Sequence, residues 1–277
     1  MKIKYFLFVL VFIFIAFFLL GKDFYKENTN KKSVKAIIIA PTIYVTPTLT
    51  PTLTPTLTPT PLVLKKESYT IAIFGDSMVD TMGEKLEYLQ KILVSKYPQT
   101  KFNLYNYGIG GQNIEQGLAR FESSFVNRER QYPPIPVLVP DVLIIGSFAY
   151  NPFSTHDRNR HYTLLKELIT KAKNVSSHVY LLAEIAPLKI GFGKGKNGVN
   201  MTEETALEQA MHIIEQLDDV INLSKEGNIP LINAYYESRV NGSFGDPDLV
   251  NKDDGIHPSE AGHFFTARLI VEKILLD

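Results

Sequence analysis

Apolar and polar positions divide this chain into three unlike stretches. The first is Tyr5–Leu20, an uncharged apolar run preceded by Lys2 and Lys4 and closed by Gly21-Lys22-Asp23. A run this long without charge predicts a helix that nearly spans a thin hydrocarbon core. Bulky Phe17, Phe18, Leu19 and Leu20 stand where a small-residue cleavage signal belongs, so residues 1–22 read as an uncleaved signal anchor. Lys22, Lys26, Lys31, Lys32 and Lys35 follow it and oppose a simple positive-inside orientation. The second stretch argues for export instead. Within a linker spanning 23–66, Thr-Pro-Thr-Leu repeats from Thr46 to Pro61. Proline at every fourth position blocks helix and sheet and favours extended polyproline II, which carries a following domain roughly 50 Å from its anchor. The segment reads as a passive spacer, or as a Thr-rich glycosylation track if it lies outside the cytoplasm.

The third stretch, 67–277, alternates continuous apolar runs with amphipathic ones. Strands are predicted at Tyr69–Phe74, Phe102–Tyr107, Val142–Phe148, Val179–Ile185 and Ile229–Asn233. Helices are predicted at Val79–Lys96, Asn113–Phe125, Tyr162–Lys173, Thr202–Glu226 and Glu260–Leu276, the fourth with Leu207, Met211, Ile214, Leu217 and Ile221 as its apolar stripe. Apolar strands separated by helices imply a parallel sheet buried on both faces. The expectation is one doubly wound α/β domain on a five-stranded parallel sheet, with its site at the carboxyl ends of the strands.

Composition narrows the partners. Charge balances at 29 basic and 29 acidic side chains, which leaves no electrostatic footprint for nucleic acid. Cysteine is absent, so disulfides, thiolate metal sites and cysteine nucleophiles are excluded together.

Candidate chemistry gathers at the strand ends. Gly75-Asp76-Ser77 follows the first strand, Asn106-Tyr107-Gly108-Ile109-Gly110-Gly111 the second, and Asn151 lies just past the third. Near the far end, Asp254-Gly255-Ile256-His257 precedes the last helix. A serine hydroxyl needs a base to take its proton, and an imidazole needs a partner on its other nitrogen to fix tautomer and orientation. Ser77, His257 and Asp254 suit those three roles, with Asp253 as an alternative to Asp254. The N–H groups at Ser77 and Gly111, with the Asn151 amide, suit an oxyanion hole.

Those three blocks resemble the SGNH (GDSL-type) hydrolase superfamily from Tyr69 to the C-terminus. The resemblance implies a three-layer α/β/α sandwich with a five-stranded parallel sheet of flavodoxin-like type, and a metal-free, cofactor-free acyl-ester hydrolase in which Ser77 is the nucleophile, His257 the base, Asp254 its orienting carboxylate and Gly111 an oxyanion donor. The third block departs from the family's Gly-x-Asn-Asp. Here the run is Gly146-Ser147-Phe148-Ala149-Tyr150-Asn151-Pro152, so Asn151 is the expected third donor and Ser147 the fallback. Together with the predicted anchor, the resemblance implies a membrane-tethered, extracytoplasmic esterase acting on a small-molecule or glycan ester, preferably an O-acetyl carbohydrate. An O-acyltransferase using the same triad, or a stalked non-catalytic binding module, are the rival readings. Of the remaining polar groups, His263 reads as structural, the His156, Asp157 and His161 cluster as a substrate-facing loop rather than a metal site, and Gly191–Gly198 as a flexible lid rather than a phosphate cradle.

Overall fold

The computed structural model describes residues 64–276. The expected anchor and nearly all of the spacer lie outside them, and among the described residues no helix is long and apolar enough to cross a membrane.

Strand β1 (Ser68–Gly75) buries Ile71, Ala72, Ile73 and Phe74 without a solvent-facing position among them. Such a strand must lie inside a sheet covered on both faces. It is followed by a single turn α1 (Ser77–Asp80), helix α2 (Glu87–Lys96), strand β2 (Lys101–Gly108) and helix α3 (Ile114–Arg120). A small hairpin, β3 (Phe125–Asn127) and β4 (Arg130–Tyr132), and the turn α4 (Ile135–Leu138) lead into β5 (Val142–Gly146). Helix α5 (Arg158–Lys173), strand β6 (Val179–Ala183), helix α6 (Glu203–Gly227) and strand β7 (Leu231–Asn233) complete the alternation. Turn α7 (Ala234–Glu237), a second hairpin β8 (Arg239–Asn241) and β9 (Phe244–Gly245), and helix α8 (Glu260–Lys273) close the chain.

The long strands form one parallel five-stranded sheet in the order β2-β1-β5-β6-β7, the expected flavodoxin-like order. Helices α2 and α8 pack together on one face, and α3, α5 and α6 on the other. The chain leaves β1 toward β2 at the edge, then returns past β1 to β5. At that reversal the crossover connections diverge and open a crevice at the carboxyl ends of β1 and β5. In this register Gly75 lies opposite Gly108, and Phe74 opposite Tyr107 and Ile145.

Three elements differ from the sequence reading. The helix expected over Val79–Lys96 is broken after α1, because Gly83 (φ 96°) and Leu86 (φ 53°) take left-handed conformations. Buried Asn106 supplies the donors that the break removes, its amide reaching the carbonyls of Val79 at 2.9 Å and Gly83 at 2.6 Å. The helix expected over Asn113–Phe125 stops at Arg120, and the β3–β4 hairpin follows. Its turn lacks the Asn-Gly or Asp-Gly signal and passes instead through Arg128 at φ 54°. In α6 the buried face is Ala206, Ala210, Ile213, Ile214, Leu217, Val220 and Leu223, while Leu207 and Met211 are exposed. Small Ala206 and Ala210 let the first turns lie close to the domain, which rotates the larger side chains onto the flank.

The approach of β2 to α1 leaves no room for a side chain at Gly108, where an added Cβ would lie 2.2 Å from the Asp80 backbone nitrogen. Gly108→Ala is therefore expected to destabilise the domain by about 3 kcal/mol, read as a lower denaturant midpoint at unchanged slope. An unchanged midpoint would show that the α1 turn yields freely.

Candidate functional site

Ser77 stands at the start of α1, immediately beyond the end of β1. Asp76 caps this turn, its Oδ1 accepting the Met78 N–H at 3.0 Å. As the first residue of the turn, Ser77 has an N–H with no intrahelical acceptor. The Asp76 carboxyl is almost wholly buried. Burial raises it above the usual carboxylate range, while bonds from Met78 N–H and the Asn151 amide and the charge of His257 pull it down.

The glycine turn after β2 lies alongside. A Cβ on Gly110 would lie 3.8 Å from that of Ser77. Gly110 gives its N–H to Asp80 Oδ2 at 3.2 Å. Gly111 sits at φ 76°, with open space where a side chain would be. The left-handed backbone is costly for other residues and natural for glycine. Asp80 is held in turn by buried Arg130, which also donates to the carbonyls of Asn106 at 2.7 Å and Gly108 at 3.1 Å. This pair clamps the glycine turn onto α1. Asp80 and Arg130 were not singled out in the sequence, because fifty positions separate them and no spacing links them.

Asn151 reaches the same place from β5. Its Nδ2 donates to Asp76 Oδ2 at 2.9 Å, and the amide's other hydrogen remains for a ligand. Ser147, the fallback donor, is fully buried, with its N–H and hydroxyl both bonded to Glu184. It is therefore spent on structure, and the tight turn from Ser147 to Asn151 presents the asparagine instead. Phe148 takes φ 57° in that turn and buries its ring near Phe74, with ring centroids 5.7 Å apart.

His257 approaches from the loop before α8. Its Nδ1 lies 3.0 Å from Asp254 Oδ2, while Asp254 Oδ1 accepts the N–H groups of Ile256 at 2.7 Å and His257 at 2.9 Å. Partial burial opposes ionisation of Asp254, but these bonds outweigh it and hold the carboxyl below its ordinary value. With Nδ1 committed, Nε2 is the nitrogen left for a serine. Asp253, the alternative to Asp254, turns away and pairs with Lys196 at 3.0 Å.

The Gly191–Gly198 stretch, expected as a lid, is laced to this turn. Asn197 N–H bonds Asp253 O at 2.7 Å and Gly193 N–H bonds Gly255 O at 3.2 Å. A Cβ on Gly255 would lie 2.1 Å from Gly191 O. The glycines serve close backbone contact, and the loop buttresses the histidine turn.

The other histidines do not join this arrangement, although His263 lines the same cleft as His257. His263 is buried against Tyr88, with ring centroids 5.1 Å apart, and its pKa is pushed down to about 4 by burial and by the charge of His257. It is neutral at ordinary pH. His161, expected on a substrate-facing loop, is buried, with Nδ1 3.2 Å from Asp219 and Nε2 2.9 Å from Ser147 O. Asp157 caps α5, and His156 Nε2 contacts Glu215 at 2.7 Å. Among the described residues no cluster of acidic and histidine side chains is arranged to hold a metal.

Comparison with known proteins is consistent with this geometry. The sequence profile of the family described as GDSL-like Lipase/Acylhydrolase matches residues 71–270. No curated protein matches the chain. Similar solved structures include a lipase/acylhydrolase from Enterococcus faecalis (16% identity, TM-score 0.55), covering 74% of this chain and 94% of that one. An acetyl xylan esterase is 20% identical with TM-score 0.53, over 74% of this chain and 100% of that one. An acetylxylan esterase from Geobacillus stearothermophilus is 17% identical with TM-score 0.51, over 74% and 93%. At these identities the structures establish a shared fold, and the profile, which runs from β1 into α8, establishes the lineage: the chain belongs to the GDSL-like lipase/acylhydrolase family of SGNH-type hydrolases.

Proposed function

We propose that this chain is a membrane-tethered, extracytoplasmic serine esterase that removes acyl groups, preferably acetyl, from a hydroxylated carbohydrate. The observation that carries the catalytic part is the Asp254–His257 pair, oriented through Nδ1 at 3.0 Å and close enough for the histidine charge to act on Asp76, the neighbour of Ser77. Ser77 Oγ attacks the ester carbonyl carbon as His257 Nε2 takes its proton. The N–H groups of Ser77 and Gly111 and the Asn151 amide receive the negative charge that develops on the carbonyl oxygen. Collapse breaks the carbon–alkoxide bond, and His257 returns the proton to the departing alcohol. Water then attacks the acyl carbon as the same imidazole takes its proton, the bond from that carbon to Ser77 Oγ breaks, and His257 returns the proton to Oγ as the acid leaves.

The alcohol half must lie on the His257 side, because that imidazole protonates it. A cleft of about 540 Å³ opens beside His257, lined by Tyr88, Asp248, Asn251 and Lys252 together with Asp254 and His257 and not by Ser77 itself, and we assign the alcohol half to it. Small-molecule sites usually have mostly apolar walls. A lining made mostly of polar side chains would leave a fatty chain poorly covered and suits a ligand rich in hydroxyl groups. The acetyl xylan esterases among the structural neighbours share the fold that supports this reading. Tethering rests on the apolar run Tyr5–Leu20 and the spacer that follows it.

Three outcomes are expected. Wild-type protein labels with a fluorophosphonate and hydrolyses p-nitrophenyl acetate, whereas Ser77→Ala does neither and His257→Ala loses roughly 10⁴-fold or more in kcat. Equal labelling of wild type and Ser77→Ala would remove the serine from its role. Tyr88→Ala raises KM for an acetylated xylo-oligosaccharide about 10-fold while leaving p-nitrophenyl acetate hydrolysis unchanged; a parallel loss on both substrates would place the sugar elsewhere. The full-length chain fractionates with membranes and is released when residues 1–22 are deleted. A soluble full-length chain would contradict the anchor.

A further inference from the structure

We propose that Glu184 is a positioning residue that sets the place of the Asn151 amide, acting through the turn from Ser147 to Asn151. This rests on the oxyanion role assigned to Asn151 above. Glu184 lies just past the end of β6 and is 3% exposed. Its position is unexpected, since a carboxyl at the end of an apolar central strand needs compensation that an apolar residue does not.

The compensation is directed at one place. Glu184 Oε1 accepts the Ser147 N–H at 3.0 Å, and Oε2 shares a hydrogen bond with the Ser147 hydroxyl. That hydroxyl in turn accepts the Ala149 N–H at 3.0 Å. Tyr150 donates to Ile185 O at 2.6 Å, and Asn151 N–H meets Phe148 O at 3.4 Å. One strand end therefore grips the turn at two consecutive residues, Glu184 and Ile185. The turn resists this shape on its own, because Phe148 is forced to φ 57°, a conformation that a non-glycine residue holds only when its surroundings over-determine it. What the turn delivers is the Asn151 amide, 2.9 Å from Asp76 Oδ2. A path of hydrogen bonds and backbone thus runs from Glu184 to the residue preceding the nucleophile. The Asp219–His161 pair adds a second support from α5 and α6 by binding Ser147 O.

Charge explains why an acid can serve here. Burial, then the nearby Asp76 carboxylate, push Glu184 up to about 8 against the opposing Ser147 bonds. The groups that face it are Asp76 at the end of β1, Ser147 and the Tyr150 hydroxyl beyond β5, with Tyr235 of α7 acting on Tyr150. Glu184 is therefore pushed toward its neutral form near pH 7, and its Oε2 accepts the Ser147 hydroxyl. A raised folded-state value means that the carboxyl proton's contribution to stability is complete below the ordinary 4.5 and is lost as pH rises through about 8. Glutamine keeps the neutral form and an acceptor for Ser147 N–H, and its amide reaches Ser147 Oγ with the hydrogen bond reversed.

The test is a double-mutant cycle on p-nitrophenyl acetate. Glu184→Ala is expected to lower kcat about 30-fold at nearly constant KM, within the range seen when a donor is displaced by about an ångström. Glu184→Gln retains kcat within about 3-fold at pH 7, and it lacks the fall in kcat that the wild type shows above about pH 8. Asn151→Ala alone costs about 100-fold. In that background Glu184→Ala costs less than about 3-fold more, since there is no amide left to misplace. Multiplying effects, or no loss in Glu184→Ala, would overturn the proposal. If Glu184→Ala does not fold, Ser147→Ala takes its place in the same cycle, with a smaller loss that again vanishes beside Asn151→Ala. The Asn151 side-chain resonance in a ¹⁵N spectrum gives a readout independent of substrate. It shifts in Glu184→Ala or Ser147→Ala and stays in place in Glu184→Gln. A shifted resonance in a protein with no esterase activity would retain the positioning link while ending the catalytic reading, and an unmoved resonance would end the positioning link itself.

Discussion

Burying the Asp76 carboxyl at the end of β1 is the constraint around which the crevice is built. A carboxyl removed from water must be given donors, and the two it receives come from opposite directions. One is the Met78 N–H, which starts the turn carrying Ser77, and the other is the Asn151 amide from beyond β5. Satisfying a single acid therefore fixes the turn carrying Ser77 relative to a neighbouring strand. Without it the α1 turn and the Asn151 turn would have no polar reason to meet. The sheet order matters for the same reason, since β5 lies directly beside β1.

Other buried charges extend the same logic outward. Asp80, one turn beyond Asp76, is neutralised by Arg130, whose remaining donors hold the carbonyls of Asn106 and Gly108. The glycine turn is thereby pinned to α1 from outside while Gly108 admits it sterically. A buried pair of this kind adds little net stability, because desolvation offsets much of the attraction. Its effect lies in geometry: removing either partner leaves an uncompensated charge, so the two elements stay in register.

The histidine arm is built by a different device. Backbone bonds hold most of it, beside the Lys196–Asp253 pair: the Gly191–Gly198 loop bonds the carbonyls of Asp253 and Gly255, and Asn251 N–H bonds His257 O at 2.8 Å. Asp254 then uses one oxygen for the turn's own N–H groups and the other for the imidazole. An arm held this way has few rotamers to lose when substrate arrives, which is the preorganisation that oxyanion and base chemistry require.

The parts of this protein that could be read directly from its residues are those whose information is local. Continuous apolar strands dictated a doubly covered parallel sheet, and Gly-Asp-Ser and Asp-x-x-His carry their partners within three residues of each other. The parallel sheet follows from that periodicity, whereas its flavodoxin-like type was implied by the family resemblance and its order is shown by the strand pairing. Helix interruptions at Gly83 and Leu86 were hidden because Asn106, twenty residues away, supplies the missing donors. Asp253 and Asp254 are adjacent and chemically alike, so only the folded turn separates the one that faces Lys196 from the one that faces His257. Ser147 and Asn151 were likewise distinguished by burial alone. Glu184, Asp80 and Arg130 carry no signature at all, because each is defined by a partner distant in sequence, and a buried charge becomes visible only when packing has removed its water.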